Sequence, residues 1–460
     1  MPVFEDAATM PAIFITKRIS PTNDIEQDFL FTQIKTLKFA SLESEVKEKA
    51  INLTDSAIKG DNWSLIGGKE AKIIDKIRSN ALSIKEYING DIKRGVLTGF
   101  NEAFIIDSRT RDRLVAEDSK SIEIIKPFIV GDDVRKYQIH FKGLYIIWTY
   151  IGVDIEKYPA IKKHLEQFKE KLEKRWDKGN YWYELRACDF YSDFEKEKII
   201  YPTIGKEPRF TFDDKKYFTG DTTFIIPRRD FFLLSILNSK IIYRVFQNLC
   251  STLGDVEKGG RIQLKPVYYI DFPLIRRISF TTSPDRCAAL VEEAKMLYSE
   301  FLVASGTQKI LDFVSQRLSA APEESDVVHD LLAYLAERMI EMNKEKNAEI
   351  KGFLDFLKGE IGASIDDLSN KTAIQEYYEH EFQNLIDVLF KNKKKLKAGY
   401  DPKSPANYKH LLEWYNVSKY KLKPLIDRIE ATDGLIDQIV YKLYGLTEEE
   451  IKIVEESISG

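Results

Sequence analysis

The sequence predicts an α+β fold, with a mixed α/β central region followed by an all-α C-terminal region. Three observations predict it. Between about residues 88 and 277, short apolar runs alternate with polar turn clusters such as Gly131-Asp132-Asp133 and Phe212-Asp213-Asp214, the pattern of short strands and helices joined by turns. From Pro284 onward glycine and proline thin out and apolar residues recur at helical spacing. The chain has 460 residues, 43% hydrophobic and 12% aromatic, enough for two or three domains with real cores.

Taken in order, residues 1–20 begin with Val3-Phe4 and a run, Pro11–Lys17, that reads as a fully buried strand. Such a strand needs neighbours, so it either joins a distant sheet or closes a domain whose remainder lies elsewhere. Residues 21–87 read as a helical connector: Pro21-Thr22-Asn23-Asp24 supplies a cap-like start, and Phe29, Ile34, Leu37 and Leu42 recur near helical spacing. In residues 88–277 the expected strands are Ala103–Ile106, Leu144–Trp148, Lys198–Tyr201, Tyr217–Phe218, Thr223–Ile226 and Tyr268–Ile270. Helices are expected at about Ile155–Arg175 and Asp230–Gln247. Residues 278–460 carry candidate helices Asp285–Ala304, Glu324–Leu357, Lys371–Phe390, Asn407–Thr432 and Thr447–Glu456.

Composition excludes several classes of protein. Cys188, Cys250 and Cys287 lie far apart, which argues against a disulfide framework or a zinc site and fits the cytoplasm. No apolar run approaches the length of a membrane span. The net charge of −4 means that any nucleic-acid binding must come from a local basic surface. No glycine-rich dinucleotide or phosphate loop is present, and the histidines at 140, 164, 329, 380 and 410 do not fall at metal-ligand spacing. Pro284-Asp285 with Glu293-Ala294-Lys295 imitates the carboxylate–lysine pattern of metal-dependent nucleases. Here, however, the interval reads as one amphipathic helix rather than the strand that chemistry uses.

What remains is surface suited to nucleic acid. Ile92–Asp107 contains a tight turn, Gly95 to Asn101, in which Gly95 and Gly99 shape the backbone and Thr98 and Asn101 supply short hydrogen-bonding groups. Basic residues cluster in turns: Lys93 and Arg94, Lys206 and Arg209, Lys215 and Lys216, Arg228 and Arg229, then Lys258, Arg261 and Lys265. Lysine and arginine grip phosphates without regard to sequence. Asn101, Asn180, Arg186, Arg209 and Gln263 are of the types that read base edges, and Tyr181-Trp182-Tyr183 suits stacking or wedging. The same residues are compatible with an ordinary domain whose aromatics are core and whose charges are solvated.

The order of several segments is more specific. Gly95–Phe104 (GVLTGFNEAF), Ile124–Tyr137 (IIKPFIVGDDVRKY), Trp182–Tyr191 (WYELRACDFY), Lys198–Pro202 (KIIYP), Leu234–Lys240 (LSILNSK), Gly259–Lys265 (GGRIQLK) and Tyr269–Pro273 (YIDFP) follow one another. Together they resemble the TaqI-like C-terminal target-recognition (specificity) domain of Eco57I-like, type IIG restriction enzymes and adenine-specific DNA methyltransferases. Asp433–Val454 is similar to the closing segment of such enzymes, and residues 1–20 to the last strands of their catalytic domain.

The resemblance implies sequence-specific recognition of double-stranded DNA within a restriction–modification system. The DNA-contacting residues would be Lys93, Arg94, Thr98, Asn101, Arg186, Arg209, Lys215, Lys216, Arg261 and Lys265. It also implies that S-adenosylmethionine and methyl transfer belong to a catalytic domain that this sequence does not contain, since the Asn-Pro-Pro-Tyr segment that receives a flipped adenine is absent. The expected partners are therefore duplex DNA and a methyltransferase domain or subunit. A pure interaction or specificity subunit that docks a separate methyltransferase is the alternative.

Overall fold

The computed structural model describes residue 15 and residues 28–32, 40–54, 67–253, 260–304 and 306–459. It divides into two compact units. One contains the described residues up to Ser279 together with those from Val440 onward; the other is Phe280–Ile439. The buried strand expected at residues 1–20 lies outside the described residues, apart from Ile15.

The first unit opens with strand β1 (Asp28–Phe31), helix α1 (Leu42–Lys49) and strand β2 (Ile51–Thr54), followed by α2 (Gly68–Ser79), β3 (Ala81–Ser83) and α3 (Ile84–Ile88). Residues 21–87, read as a helical connector, carry these helices but also strands. β1 and β2 pair antiparallel, with Phe29 opposite Leu53 and Phe31 opposite Ile51. Aromatic and branched residues facing each other across two strands outweigh a loose helical count. Nor is the segment only a connector, because β3 pairs with β17 (Pro273–Arg276) from the far end of the unit. α3 starts on a capping box between Ser83 and Glu86.

The central domain follows. Its first half holds β4 (Lys93–Arg94), α4 (Asn101–Phe104), β5 (Ile105–Asp107), α5 (Ser108–Glu117), β6 (Ile125–Ile129), β7 (Val134–Arg135), β8 (Gln138–Ile139) and β9 (Leu144–Ile147). Helices α6 (Pro159–Glu166), α7 (Lys169–Glu173) and α8 (Tyr191–Phe194) lead to β10 (Lys198–Pro202), β11 (Ile204–Gly205), β12 (Thr211–Asp213), β13 (Phe218–Thr219) and β14 (Thr223–Ile226). Then come α9 (Phe231–Leu237), α10 (Lys240–Leu249), β15 (Thr252–Leu253), β16 (Arg261–Gln263) and β17. The run Ala103–Ile106 is split, because its first half completes α4, and Asp107 caps α5 by accepting from the Thr110 amide at 2.8 Å. Tyr268–Ile270 is not a strand; a short 3₁₀ turn begins at Pro266, and pairing starts at Pro273.

Three sheets carry this domain: β12-β10-β14-β4, β13-β6-β9-β5 and β11-β16-β15. β10 is buried at every position, as a central strand covered on both faces must be. A core from Val96 and Phe104 through Ile146, Ile161 and Leu185 to Ile225 joins the first two sheets to α6 and α7.

The second unit is helical: α11 (Pro284–Ala304), α12 (Gln308–Leu318), α13 (Ser325–Ile361), α14 (Lys371–Gln375), α15 (Phe382–Lys391) and α16, which begins at Pro405. Glu324, just before α13, accepts from Arg286 at 2.7 Å and Arg317 at 2.8 Å. The distal half packs Phe353 on Tyr377 with ring centroids 4.0 Å apart, and the Tyr377 hydroxyl meets that of Ser418 at 2.6 Å. Two lysines of the basic run Lys391–Lys397 are engaged here. Lys393 pairs with Asp401 at 2.6 Å and Lys395 donates to the Asp367 carbonyl at 2.6 Å.

α16 ends at Leu443, and α17 (Glu448–Ser459) closes the chain, so this closing segment groups with the first unit rather than with the helical region read from the sequence. The Tyr444 hydroxyl donates to the Leu274 carbonyl of β17 at 2.5 Å. Lys76 of α2 reaches Glu450 at 2.7 Å, and Lys240 of α10 reaches Glu455 at 2.7 Å.

Candidate nucleic-acid interface

The turn after β4 is built by close backbone approach. The amide of Gly95 donates to the Thr223 carbonyl at 3.0 Å, and that of Val96 to the Thr219 carbonyl at 2.6 Å. A Cβ on Gly95 would fall 1.9 Å from the Gly220 carbonyl oxygen, so no side chain fits. Gly99 sits at φ 67°, in the left-handed region. Thr98 does not face solvent: it is 3% exposed, its hydroxyl donates to Asn101 Oδ1 at 2.5 Å, and it accepts from the Phe100 amide at 3.2 Å. The expectation that Thr98 contacts DNA is therefore corrected, because its hydrogen bonds are spent shaping the turn. Asn101 stands exposed at the start of α4.

A second element, the irregular segment 175–190, is tied to this turn by a buried arginine. Arg175 is 7% exposed and donates to the carbonyls of Thr98 (2.5 Å), Trp182 (2.8 Å), Glu184 (2.9 Å) and Leu172 (3.4 Å). Its guanidinium also lies 4.6 Å from the Phe104 ring centroid. Burial pulls its pKa down to about 10, opposed by the Asp177 carboxylate. Glu184 is fully buried and accepts from the amides of Gly152 (2.8 Å), Asn180 (2.6 Å) and Tyr181 (3.1 Å). Two buried charges, each saturated by backbone groups, thus hold a loop that has no regular structure of its own.

The loop projects Trp176, which is 97% exposed, and also Asn180, Tyr181 and Arg186. Tyr181 stacks on Tyr183 with ring planes 6° apart. Trp182 is half-buried beneath the Lys169 ammonium and is not the outward aromatic of the segment. Sequence reading missed Arg175, Glu184 and Trp176. The available signal was a tryptophan set among charges, Lys174-Arg175-Trp176-Asp177-Lys178, in a segment lacking apolar periodicity.

The remaining candidates separate. Lys215 and Lys216 are exposed on a turn held by Asp213, which accepts from the amides of Lys215 and Tyr217, both at 2.8 Å. Asp213 also forms a fully buried ion pair with Lys198 at 2.5 Å. Burial pushes the carboxyl up and the ammonium down, each partly countered by its partner. In register, Asp213 faces Lys198 at the start of β10, whereas Thr223, to which Gly95 is bonded, faces Pro202 at its end. The structure therefore puts the Lys215–Lys216 turn and the Gly95–Asn101 turn at opposite ends of one sheet.

Arg209 stands beside Phe210, whose amide and carbonyl are both held by the Asn238 side chain, at 3.0 and 2.9 Å. That contact accounts for the asparagine in Leu234–Lys240. Arg261, at the start of β16, and Lys265, two residues beyond its end, are exposed. Lys258 and Gly259 lie outside the described residues.

Several of these cations rest against acids at the surface: Arg94 with Asp221 (3.7 Å), Arg186 with Asp177 (3.2 Å) and Arg209 with Glu207 (2.9 Å). Lys93 lies 3.8 Å from Asp91 and 5.6 Å from the Phe190 ring centroid. Exposed pairs of this kind contribute about 0–1 kcal/mol. Exchanging such a carboxylate for a phosphate would therefore cost little.

Among the described residues, no group of three or more histidine, cysteine, aspartate or glutamate side chains is placed to hold a metal. Asp285, Glu293 and Lys295 lie along α11 alone, and Lys295 pairs with Glu292 at 2.7 Å. Burial pushes the Cys250 thiol up to about 12. No helix among the described residues is long and apolar enough to cross a membrane.

Comparison with known proteins agrees with this architecture. Residues 126–267, from β6 through β16, match the TaqI-like C-terminal specificity domain. The opening turn and Tyr269–Pro273 fall outside the matched span. In the helical unit, residues 325–440 match a domain of unknown function, DUF8810.

Two curated relatives are type II methyltransferases. M.MjaIV of Methanocaldococcus jannaschii is 32% identical over 183 residues, 36% of this chain and 59% of that protein. M.BanIII of Aneurinibacillus aneurinilyticus is 26% identical over 198 residues, 39% of this chain and 33% of that protein. The chain thus spans less than two thirds of either. A solved type IIL restriction–modification enzyme, MmeI in complex with DNA, aligns over 53% of this chain and 32% of its own at 12% identity. The TM-score of that alignment is 0.31.

Proposed function

We propose that this chain is the sequence-specific, double-stranded DNA recognition portion of a type II, IIG-like restriction–modification adenine methyltransferase. The specificity-domain match over residues 126–267 carries the reading. The geometry supports it: rigid sheets present irregular, polar and basic loops, the usual way a recognition surface is mounted. Asn101 and Arg186, on two elements joined through Arg175, are its candidate base readers. Lys93, Arg94, Arg209, Lys215, Lys216, Arg261 and Lys265 supply phosphate contacts along the domain. Methyl transfer and S-adenosylmethionine belong to a catalytic domain of the methyltransferase type, whether fused or separate.

The test is duplex selection from a randomised pool, followed by anisotropy across a salt series. The expected result is enrichment of one short sequence, with log affinity falling linearly against log salt at about −0.9 per phosphate neutralised. No binding to any duplex at low salt refutes the reading and favours an interaction subunit. A stoichiometric calorimetric signal with S-adenosylmethionine alone refutes the assignment of the cofactor to another domain.

A further inference from the structure

We propose that Trp176 is the wedge of this interface, an indole that leaves water by stacking on bases at a loosened step of the bound duplex. The inference rests on the recognition reading above. Tryptophan is seldom left open to water, and Trp176 is 97% exposed. Its outward position is built rather than loose. The residue before it, Arg175, is turned inward and bonded to carbonyls from both flanking segments. The residue after it, Asp177, is paired with Arg186. The Lys178 amide closes back on the Trp176 carbonyl at 3.2 Å, and the Lys178 ammonium bonds the Glu173 carbonyl at 2.5 Å. With Arg175 turned inward and the Lys178 amide closed back on the Trp176 carbonyl, the indole stands clear of the core against which Trp182 packs.

The surroundings suit a nucleic acid rather than an apolar partner. Lys174, Lys178 and Arg186 are exposed in the same loop as the indole, and Tyr181 adds a second exposed ring to it. A flat π-surface among cations matches stacked bases flanked by phosphates. An interface with another protein would be expected to surround the indole with apolar neighbours.

The probe is the duplex recovered from the randomised pool, titrated into the full chain. Trp176→Ala should weaken binding by roughly 5- to 150-fold, the range for losing one base–aromatic stack, and Trp176→Phe should retain most of the affinity. The emission difference between the wild-type chain and Trp176→Phe isolates Trp176, and it should be quenched as duplex is added. An unchanged thermal midpoint in Trp176→Ala shows that folding is intact. If the wild type binds and Trp176→Ala binds as tightly, or if the Trp176 emission is unmoved at saturation, the wedge is overturned and recognition stands. If the wild type binds no duplex, both fall.

Discussion

Removing the Arg175 guanidinium is the sharpest test of how the interface is held. In Arg175→Met the stem volume is roughly kept, but the donors to Thr98, Trp182 and Glu184 are lost. Hydrogen bonds to a charged group contribute about 1.5–3 kcal/mol each, net of lost hydration. Three bonds that share one guanidinium do not add, so a loss of about 2–4 kcal/mol is expected rather than the full sum. It should be concentrated in residues 95–101 and 175–187, because the sheets do not depend on these bonds. Urea unfolding would read the total and amide hydrogen exchange would locate it. Duplex affinity should fall with it, since Asn101 and Arg186 would no longer be held in a common frame. A variant with wild-type stability and unchanged exchange across 175–187 would refute the reasoning.

Further outcomes follow from the same geometry. Gly95→Ala places a methyl 1.9 Å from the Gly220 carbonyl, so the turn must separate from Thr219 and Thr223; a loss of about 1–3 kcal/mol or more is expected by urea denaturation. Lys198→Met strands a buried carboxylate and should cost about 3–5 kcal/mol, whereas Lys198→Met with Asp213→Leu should recover much of it; a double-mutant cycle reads the coupling. His164, buried and bonded through Nε2 to the Ala103 carbonyl at 3.0 Å, has its pKa lowered by burial. Its neutral form is favoured in the fold, so its contribution is fully present above the unfolded value of ~6.5 and is lost as pH falls from there through the folded value. The stability difference between pH 8 and pH 5 should therefore shrink in His164→Gln, measured by denaturation at both.

Periodicity and turn chemistry made most helices of the second unit legible, but α12 was not read from the sequence, the single helix expected over Lys371–Phe390 is broken into α14 and α15, and α16 extends to Leu443 beyond the Thr432 expected for it. The strands β9, β10 and β14 were equally clear, because runs such as Lys198–Pro202 have few alternatives once turn residues bound them. The specificity-domain class was legible too, from the order of short segments. Local pattern failed where pairing is remote: β1 with β2, and β3 with β17, are decided by strands far away in the chain.

At the interface, sequence alone determined which residue types and turns were available: the two glycines, the clustered cations, the aromatics near 181. Tertiary structure decided which of them face outward. Thr98 is buried because a guanidinium 77 residues away takes its carbonyl and Asn101 takes its hydroxyl. Trp176 is exposed because that same arginine turns inward beside it. Exposure is set by contacts between distant segments, and spacing along a chain carries no record of them.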